Sequence, residues 1–353
     1  MPREGGGGDR GGGGDGDGGG EGAVDPADYM APRIEAVNAY IQERLKTGHH
    51  PKVVEAIAYY PSTGGKRLRP VLAMAAADAV SDGAGERAMP YGCVLELVHN
   101  FTLVHDDIMD GDALRRGRPT LHTVFGEPAA INAGDVLFAL AFEVLSDTRV
   151  DGETLRTLLR ETARTVFEIG EGQQWDMDFE RVDPASLGEG DYLRMIEFKT
   201  ARLFEQAARG GARIAGADER LAQELGHYAR DMGIAFQIWD DYLDLTAETA
   251  KRGKDWGSDV RRGKRTVMAL HALQAARGAD REAFLKAFGH ADATDPEVRA
   301  AVAVMDRLGS VEHASHLAKK YATRAEDHLG ALGPSEHKEF LRALIHHMIT
   351  RSY

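Results

Sequence analysis

From Asp25 onward the chain repeats one pattern: apolar residues spaced three and four apart, in segment after segment. The first series runs through Tyr29, Ile34, Val37, Tyr40, Ile41 and Leu45, with Asp28 placed to cap it. Similar series occupy 71–80, 89–110, 130–145, 152–177, 192–208, 220–245, 266–276, 298–308 and 311–329, and Ser335 can cap a last helix ending near Arg351. The breaks carry turn chemistry, as in Ser81-Asp82-Gly83, Asp183-Pro184 and Arg262-Gly263. No segment alternates with period two. This predicts an all-α fold over residues 25–353, a single domain of roughly ten or more helices. Stretches that are apolar all round, such as 137–142, predict fully buried central helices.

Residues 1–24 are glycine with Asp, Glu and Arg. They cannot build a core, so a disordered tail is expected, and its GxGxxG-like matches carry no weight without a flanking strand and helix. A net charge of -13 excludes a general nucleic-acid binder but not a local anion pocket. Cys93 is the only cysteine, so no intramolecular disulfide can form, as in a reducing compartment. No uninterrupted apolar run approaches the ~20 residues that span a bilayer, and no signal-peptide layout is evident. The expectation is a cytoplasmic protein without stable membrane insertion.

Two acidic clusters end apolar series: Asp106-Asp107-Ile108-Met109-Asp110 and Asp240-Asp241-Tyr242-Leu243-Asp244. On a helix, residues four apart lie about 40° apart, so Asp106 and Asp110 share a face, as do Asp240 and Asp244. Carboxylates so placed repel unless a cation sits between them, and a hard divalent ion with oxygen ligands suits them. One such cluster alone reads by default as a solvated acidic face. Seven residues before Asp106, His99 falls on nearly the same face, with Leu95 one turn deeper. The spacing implies a polar mouth over an apolar shaft.

Cations accompany the acids. Gly64-Gly65-Lys66-Arg67-Leu68-Arg69-Pro70 places a flexible pair before a basic helix start, a favoured anion site. Leu114-Arg115-Arg116-Gly117-Arg118-Pro119 follows the first cluster, and adjacent arginines can grip two phosphate groups. Lysine is scarce, 11 residues against 32 arginines, yet Lys66, Lys199, Lys254 and Lys264 all fall near these motifs. A ligand anionic at one end and apolar at the other is implied, and diphosphate esters satisfy that.

In order, GGKRLRP (64–70), DDIMD with LRRGRP (106–110, 114–119), EGQQWDMD (171–178), KTARLF (199–204), FQIWDDYLD (236–244) and GKDWGSDVRRGKRT (253–266) resemble the motifs of trans-type isoprenyl diphosphate synthases, the polyprenyl synthetase family. The resemblance covers about residues 30–353. It implies a bundle of the isoprenoid synthase type around a central cavity, and a homodimer. By resemblance, Lys66, Arg69, His99 and Arg116 hold the diphosphate of isopentenyl diphosphate. Asp106, Asp110, Asp240 and Asp244 hold three Mg²⁺ against an allylic diphosphate. Arg115, Lys199, Thr200, Gln237, Lys254 and Lys264 contact that same diphosphate, and Gln173 lies in the family's Gly-Gln motif. The implied reaction is Mg²⁺-dependent 1'-4 head-to-tail condensation, with Thr200 and Gln237 facing the allylic cation. The segment 249–262, rich in glycine and charge, is placed to close over the phosphates.

The family's sizing positions correspond to Phe101 and Thr102, with Val98 and Leu95 deeper. Helix geometry puts Thr102 below the carboxylates but Phe101 about 140° from Asp106, so the role of Phe101 rests on the resemblance. A single aromatic there resembles archaeal-type geranylgeranyl synthases, which implies a C20 product, with C15 and C25 as alternatives. Two rivals are a class I terpene cyclase and a non-catalytic partner subunit. The second basic pocket speaks against the first, and the two intact acidic clusters against the second.

Overall fold

A computed structural model describes residues 24–246 and 256–350. The glycine-rich tail through residue 23, Lys254 and the first half of the 249–262 segment lie outside the described residues. The fold is all-α. Helices α1 (Pro26–Arg44), α2 (Pro51–Ser62), α3 (Leu68–Val80) and α4 (Gly85–Met109) are followed by a two-residue antiparallel ribbon, Leu114–Arg115 with Arg118–Pro119. Then come α5 (Leu121–Phe125), α6 (Glu127–Ser146), α7 (Gly152–Phe179) and α8 (Glu189–Ile196). A π-helical turn, Glu197–Ala201, leads into α9 (Arg202–Ile214), and α10 (Glu219–Thr246) follows. The C-terminal part holds α11 (Ser258–Arg262), α12 (Val267–Ala275), α13 (Gly278–Leu285), α14 (Asp295–Arg307), α15 (Ser310–His328) and α16 (Glu336–Thr350).

Local chemistry sets the boundaries. Asp25, not Asp28, caps α1: its carboxylate accepts from Ala27 N, and Pro26 opens the helix without needing a donor. Asp28 instead sits in the first turn, where its charge favours the helix dipole. Ser335 caps α16 as its sequence suggests, accepting from Lys338 N. The single series read over 192–208 is in fact broken by the π-turn. Among the described residues the period-two rule missed the short ribbon, which displays Arg115 and Arg116.

The core forms two clusters. One joins α1–α7 with α9, α16 and the first half of α10. The other gathers α8, the far half of α10 and α11–α15. Trp239 on α10 and Tyr321 on α15 pack against both. Helix α3 lies between α4 and α9, and α10 lies along α9 and α15. The close approach of α3 and α9 depends on Gly211, where an added Cβ would sit 2.1 Å from the Ala73 carbonyl oxygen. Among the described residues one helix, α6, is long and apolar enough to cross a membrane, but it packs along α4, with Leu137, Leu140, Ala141 and Val144 buried.

Candidate active site

A cavity of about 1170 Å³ opens among the 63–69 loop, α4, the ribbon, α7, the π-turn, α9 and α10. Asp106 from α4 and Asp240 and Asp244 from α10 line it together. The structure thus brings the two acidic clusters to one space. Asp110, at the end of α4, stands at the edge rather than in the lining. It is open to solvent on one side, yet enough protein surrounds the carboxyl to push it up to about 6, with the neighbouring Asp106 adding to the effect. Asp106 Oδ1 is buried without a hydrogen bond, 3.4 Å from Lys199 Nζ. An oxygen-only donor set, with crowded like charges and an unsatisfied oxygen, fits a hard divalent cation.

The middle aspartate of each cluster does something else. Asp107 is fully buried and accepts from Arg115 Nε at 2.7 and 2.9 Å and from the Tyr60 hydroxyl. Arg115 Nη2 also lies 2.7 Å from Asp107 and 3.8 Å from Asp106. Asp241, equally buried, accepts from the Tyr192 hydroxyl (2.8 Å), Gln237 Nε2 (3.1 Å) and Lys264 Nζ (3.3 Å). Arg115 and Lys264, expected on the allylic diphosphate, are therefore already engaged by carboxylates. Arg115 still lines the cavity; Lys264 does not, and sits between Asp241 and Asp259. Burial and electrostatics explain this, since a buried carboxylate needs a paired cation.

Lys199 and Thr200 ride on the π-turn, a distortion often found at functional positions. The turn can lie against α7 because residue 172 is glycine: a Cβ there would fall 2.3 Å from Lys199 N. Lys199 Nζ donates to Asp176 at 2.6 Å. Burial works to lower its pKa, but Asp106 and Asp176 outweigh that and raise it, so the ammonium stays charged. Asp176 was not singled out from the sequence, although it stands in the EGQQWDMD motif. Thr200 donates to Gln237 Oε1 (3.0 Å), and Gln237 Nε2 donates to Asp241, so the amide is oriented from both ends. Gln173 Nε2, in the cavity wall, is buried without a hydrogen-bond partner.

The same cavity holds a cationic corner. Lys66, Arg69, His99 and Arg116 all line it. The corner's nearby carboxylate, Glu96, is taken by buried Arg67 at 2.8 Å. Arg69 is pushed down to about 10 by burial and then by Arg116. His99 is pushed well below its ordinary value by burial and then by Arg69, Arg116, Arg115 and Arg67. Like charges held this close need an anion. Arg67 and Arg116 both adopt left-handed backbone, φ 44° and 53°, a costly conformation for a residue with a side chain. Arg67 in that conformation turns the Gly-Gly loop into α3 while its guanidinium reaches Glu96, Asn38 and Pro61.

Residues 50–305 match the family model described as polyprenyl synthetase. The chain belongs to the polyprenyl synthetase family. Within that family it is 39% identical over 328 residues to the geranylgeranyl diphosphate synthase of Methanosarcina mazei, covering 92% of this chain and 98% of that one. It is 38% identical to the geranylfarnesyl diphosphate synthase of Natronomonas pharaonis, covering 92% and 97%. The crystal structure of geranylgeranyl pyrophosphate synthetase from Pyrococcus horikoshii superposes with a TM-score of 0.86 at 36% identity, covering 92% and 99%.

In this polyprenyl synthetase, Phe101 and Thr102 both line the cavity, whereas Leu95 and Val98 are wholly buried in the core and do not. The simple shaft below Asp106 needs correcting. His99, Phe101, Thr102, Leu103, His105, Asp106 and Met109 all line the cavity, so it wraps much of α4. Phe101 is backed by Phe138 of α6, ring centroids 5.0 Å apart, and Phe138 in turn by Phe142 at 5.0 Å.

Proposed function

We propose that this prenyltransferase condenses isopentenyl diphosphate head-to-tail with allylic diphosphates and releases geranylgeranyl diphosphate. The observation that carries the reading is one cavity with two unlike sets of charges. Carboxylates from α4 and α10 line it together with Lys66, Arg69, His99 and Arg116. Two anionic headgroups are accommodated, as a bisubstrate reaction requires. Asp106, Asp110, Asp240 and Asp244 would hold Mg²⁺, three ions in the family pattern. Bound there, the metal would draw electron density from the leaving diphosphate.

The chain's own groups do the rest. Lys199 offers a charged ammonium to the leaving group. Lys66, Arg69 and Arg116 fix the second diphosphate, so that its double bond meets the allylic carbon as the C–O bond breaks. Thr200 and Gln237 present oriented dipoles to the allylic cation. A proton leaves the new chain to the departing diphosphate, which closes the balance.

Geranylgeranyl diphosphate is favoured over C15 because, of the two sizing positions, Thr102 is small and only Phe101 is aromatic; the geranylgeranyl synthases among the relatives support this. The geranylfarnesyl relative keeps C25 as the longer alternative. Incubation with isopentenyl and dimethylallyl diphosphates plus Mg²⁺, followed by chromatography, tests the reading. Prenyl products of C20 are expected; cyclised hydrocarbon or no turnover would overturn it. Phe101→Ala should lengthen the main product by at least one C5 unit, and unchanged length would move the floor elsewhere.

A cytoplasmic homodimer completes the reading. Ile131 on α6 and Leu159 and Phe167 on α7 are exposed apolar side chains, Phe167 at 58%, and suit a second copy. Sedimentation giving a monomer at micromolar concentration would remove the dimer.

A further inference from the structure

A second cluster of metal-ligating side chains lies away from the cavity, where α10 meets the end of α15. Glu224 and His227 are one turn apart on α10, a spacing that aims both side chains along one face. His328, the last residue of α15, reaches across to them. Its Nδ1 is 2.7 Å from Glu224 Oε2, and its ring centroid is 5.4 Å from that of His227. One ligand atom from each of the three lies within 4.8 Å of the others. All three side chains are half-buried, so they are partly shielded yet open to an ion from solvent.

The surroundings add an independent feature. The other ring nitrogen of His328, Nε2, faces Asp231 Oδ2 at 3.8 Å. Asp231 is fully buried, and the same oxygen faces the Arg324 guanidinium at 3.1 Å. A carboxylate behind the far nitrogen of a histidine is the usual support of a metal-bound imidazole, because it fixes the ring and its tautomer. Arg230 and Arg324 are both drawn to Asp231, at 3.3 and 3.1 Å.

We infer that Glu224, His227 and His328 form a binding site for a Zn²⁺-type transition-metal ion, with Asp231 as the outer partner of His328. Two imidazoles and one carboxylate suit Zn²⁺ and its neighbours in the first transition row; Mg²⁺ prefers oxygen alone. The site is thus chemically distinct from the all-carboxylate clusters. It lies about 20 Å along α10 from Asp240, at 1.5 Å per residue. Its role is to clamp α10, the helix that carries the second acidic cluster, to α15.

The test uses the full-length protein and Zn²⁺ itself, in excess Mg²⁺ to occupy the carboxylate clusters. Competition with a chromophoric chelator should show one Zn²⁺ held by the wild type. His227→Ala and His328→Ala should each weaken it by at least the roughly 10- to 100-fold that losing an outer-shell partner costs. Zn²⁺ should raise the unfolding midpoint of the wild type and leave that of His227→Ala unchanged. His227→Gln serves if the alanine variant folds poorly, and unchanged Mg²⁺-dependent turnover confirms that the fold is intact. Equal Zn²⁺ affinity in wild type and variants, or no Zn²⁺ held against excess Mg²⁺, would overturn the assignment.

Discussion

The two acidic clusters share a five-residue pattern, and in both the middle carboxylate turns inward to a tyrosine and a cation. Asp107 meets Tyr60 and Arg115; Asp241 meets Tyr192 and Lys264. The tyrosines stand 47 and 49 residues before their aspartates. The cations differ. Arg115 grips Asp107 with a planar fork and also reaches Asp106, so it binds the first cluster to itself. Lys264 is a point charge shared between Asp241 and Asp259, and it ties the second cluster to α11. The motif therefore counts carboxylates, not metal ligands: one in each cluster is structural.

The sharpest test of that division compares outward with inward residues. Asp106→Ala and Asp240→Ala should each lower turnover by roughly 10³-fold or more while leaving helicity and unfolding temperature near wild type. Near-normal turnover in either variant would sink the metal assignment for that cluster. Asp107→Asn and Asp241→Asn should show the reverse balance. Removing one partner of a buried ion pair costs about 3 kcal/mol at the low end, which thermal unfolding should register as a drop of several degrees. Asp241→Asn also frees Gln237, so its turnover should fall further than that of Asp107→Asn. Equal stability of wild type and both Asn variants would mean that the inward pairs are not structural.

Much of this is legible in the amino-acid sequence. The helices follow from apolar spacing, and Asp106, Asp240 and Asp244 line one cavity with Lys66, Arg69 and Arg116 as their chemistry demands, while Lys264 is held outside it. What spacing could not give is facing on a helix buried all round. Along α4, the cavity takes Phe101, about 140° from Asp106 by helix geometry, and leaves Leu95 and Val98 to the core. The π-turn at Glu197–Ala201 was hidden for a related reason: one extra residue in a turn barely disturbs an apolar series. Asp107 and Asp241 were inside the motifs, but their tyrosines lie too far along the chain for any local signal. Asp176 was within reach, since an acid in EGQQWDMD near scarce Lys199 is a natural partner.

The first cluster also holds a carboxyl of raised proton affinity. Asp110 is pushed from the ordinary 3.8 up to about 6, by burial and then by Asp106. A raised carboxylate favours the folded state at low pH, and that contribution is lost as pH rises from about 3.8 through about 6. The metal-free protein should therefore lose stability across that window, and Mg²⁺ should restore it above. Because the metal needs the carboxylate form, apparent Mg²⁺ affinity at the first cluster should fall up to about tenfold per pH unit below 6 and level off above it. Calorimetric titration at several pH values reads this directly. In Asp110→Asn the slope should flatten together with the affinity. If the slope persists in that variant, the proton belongs elsewhere, and the partly buried carboxyl of Asp110 does not govern Mg²⁺ binding at the first cluster.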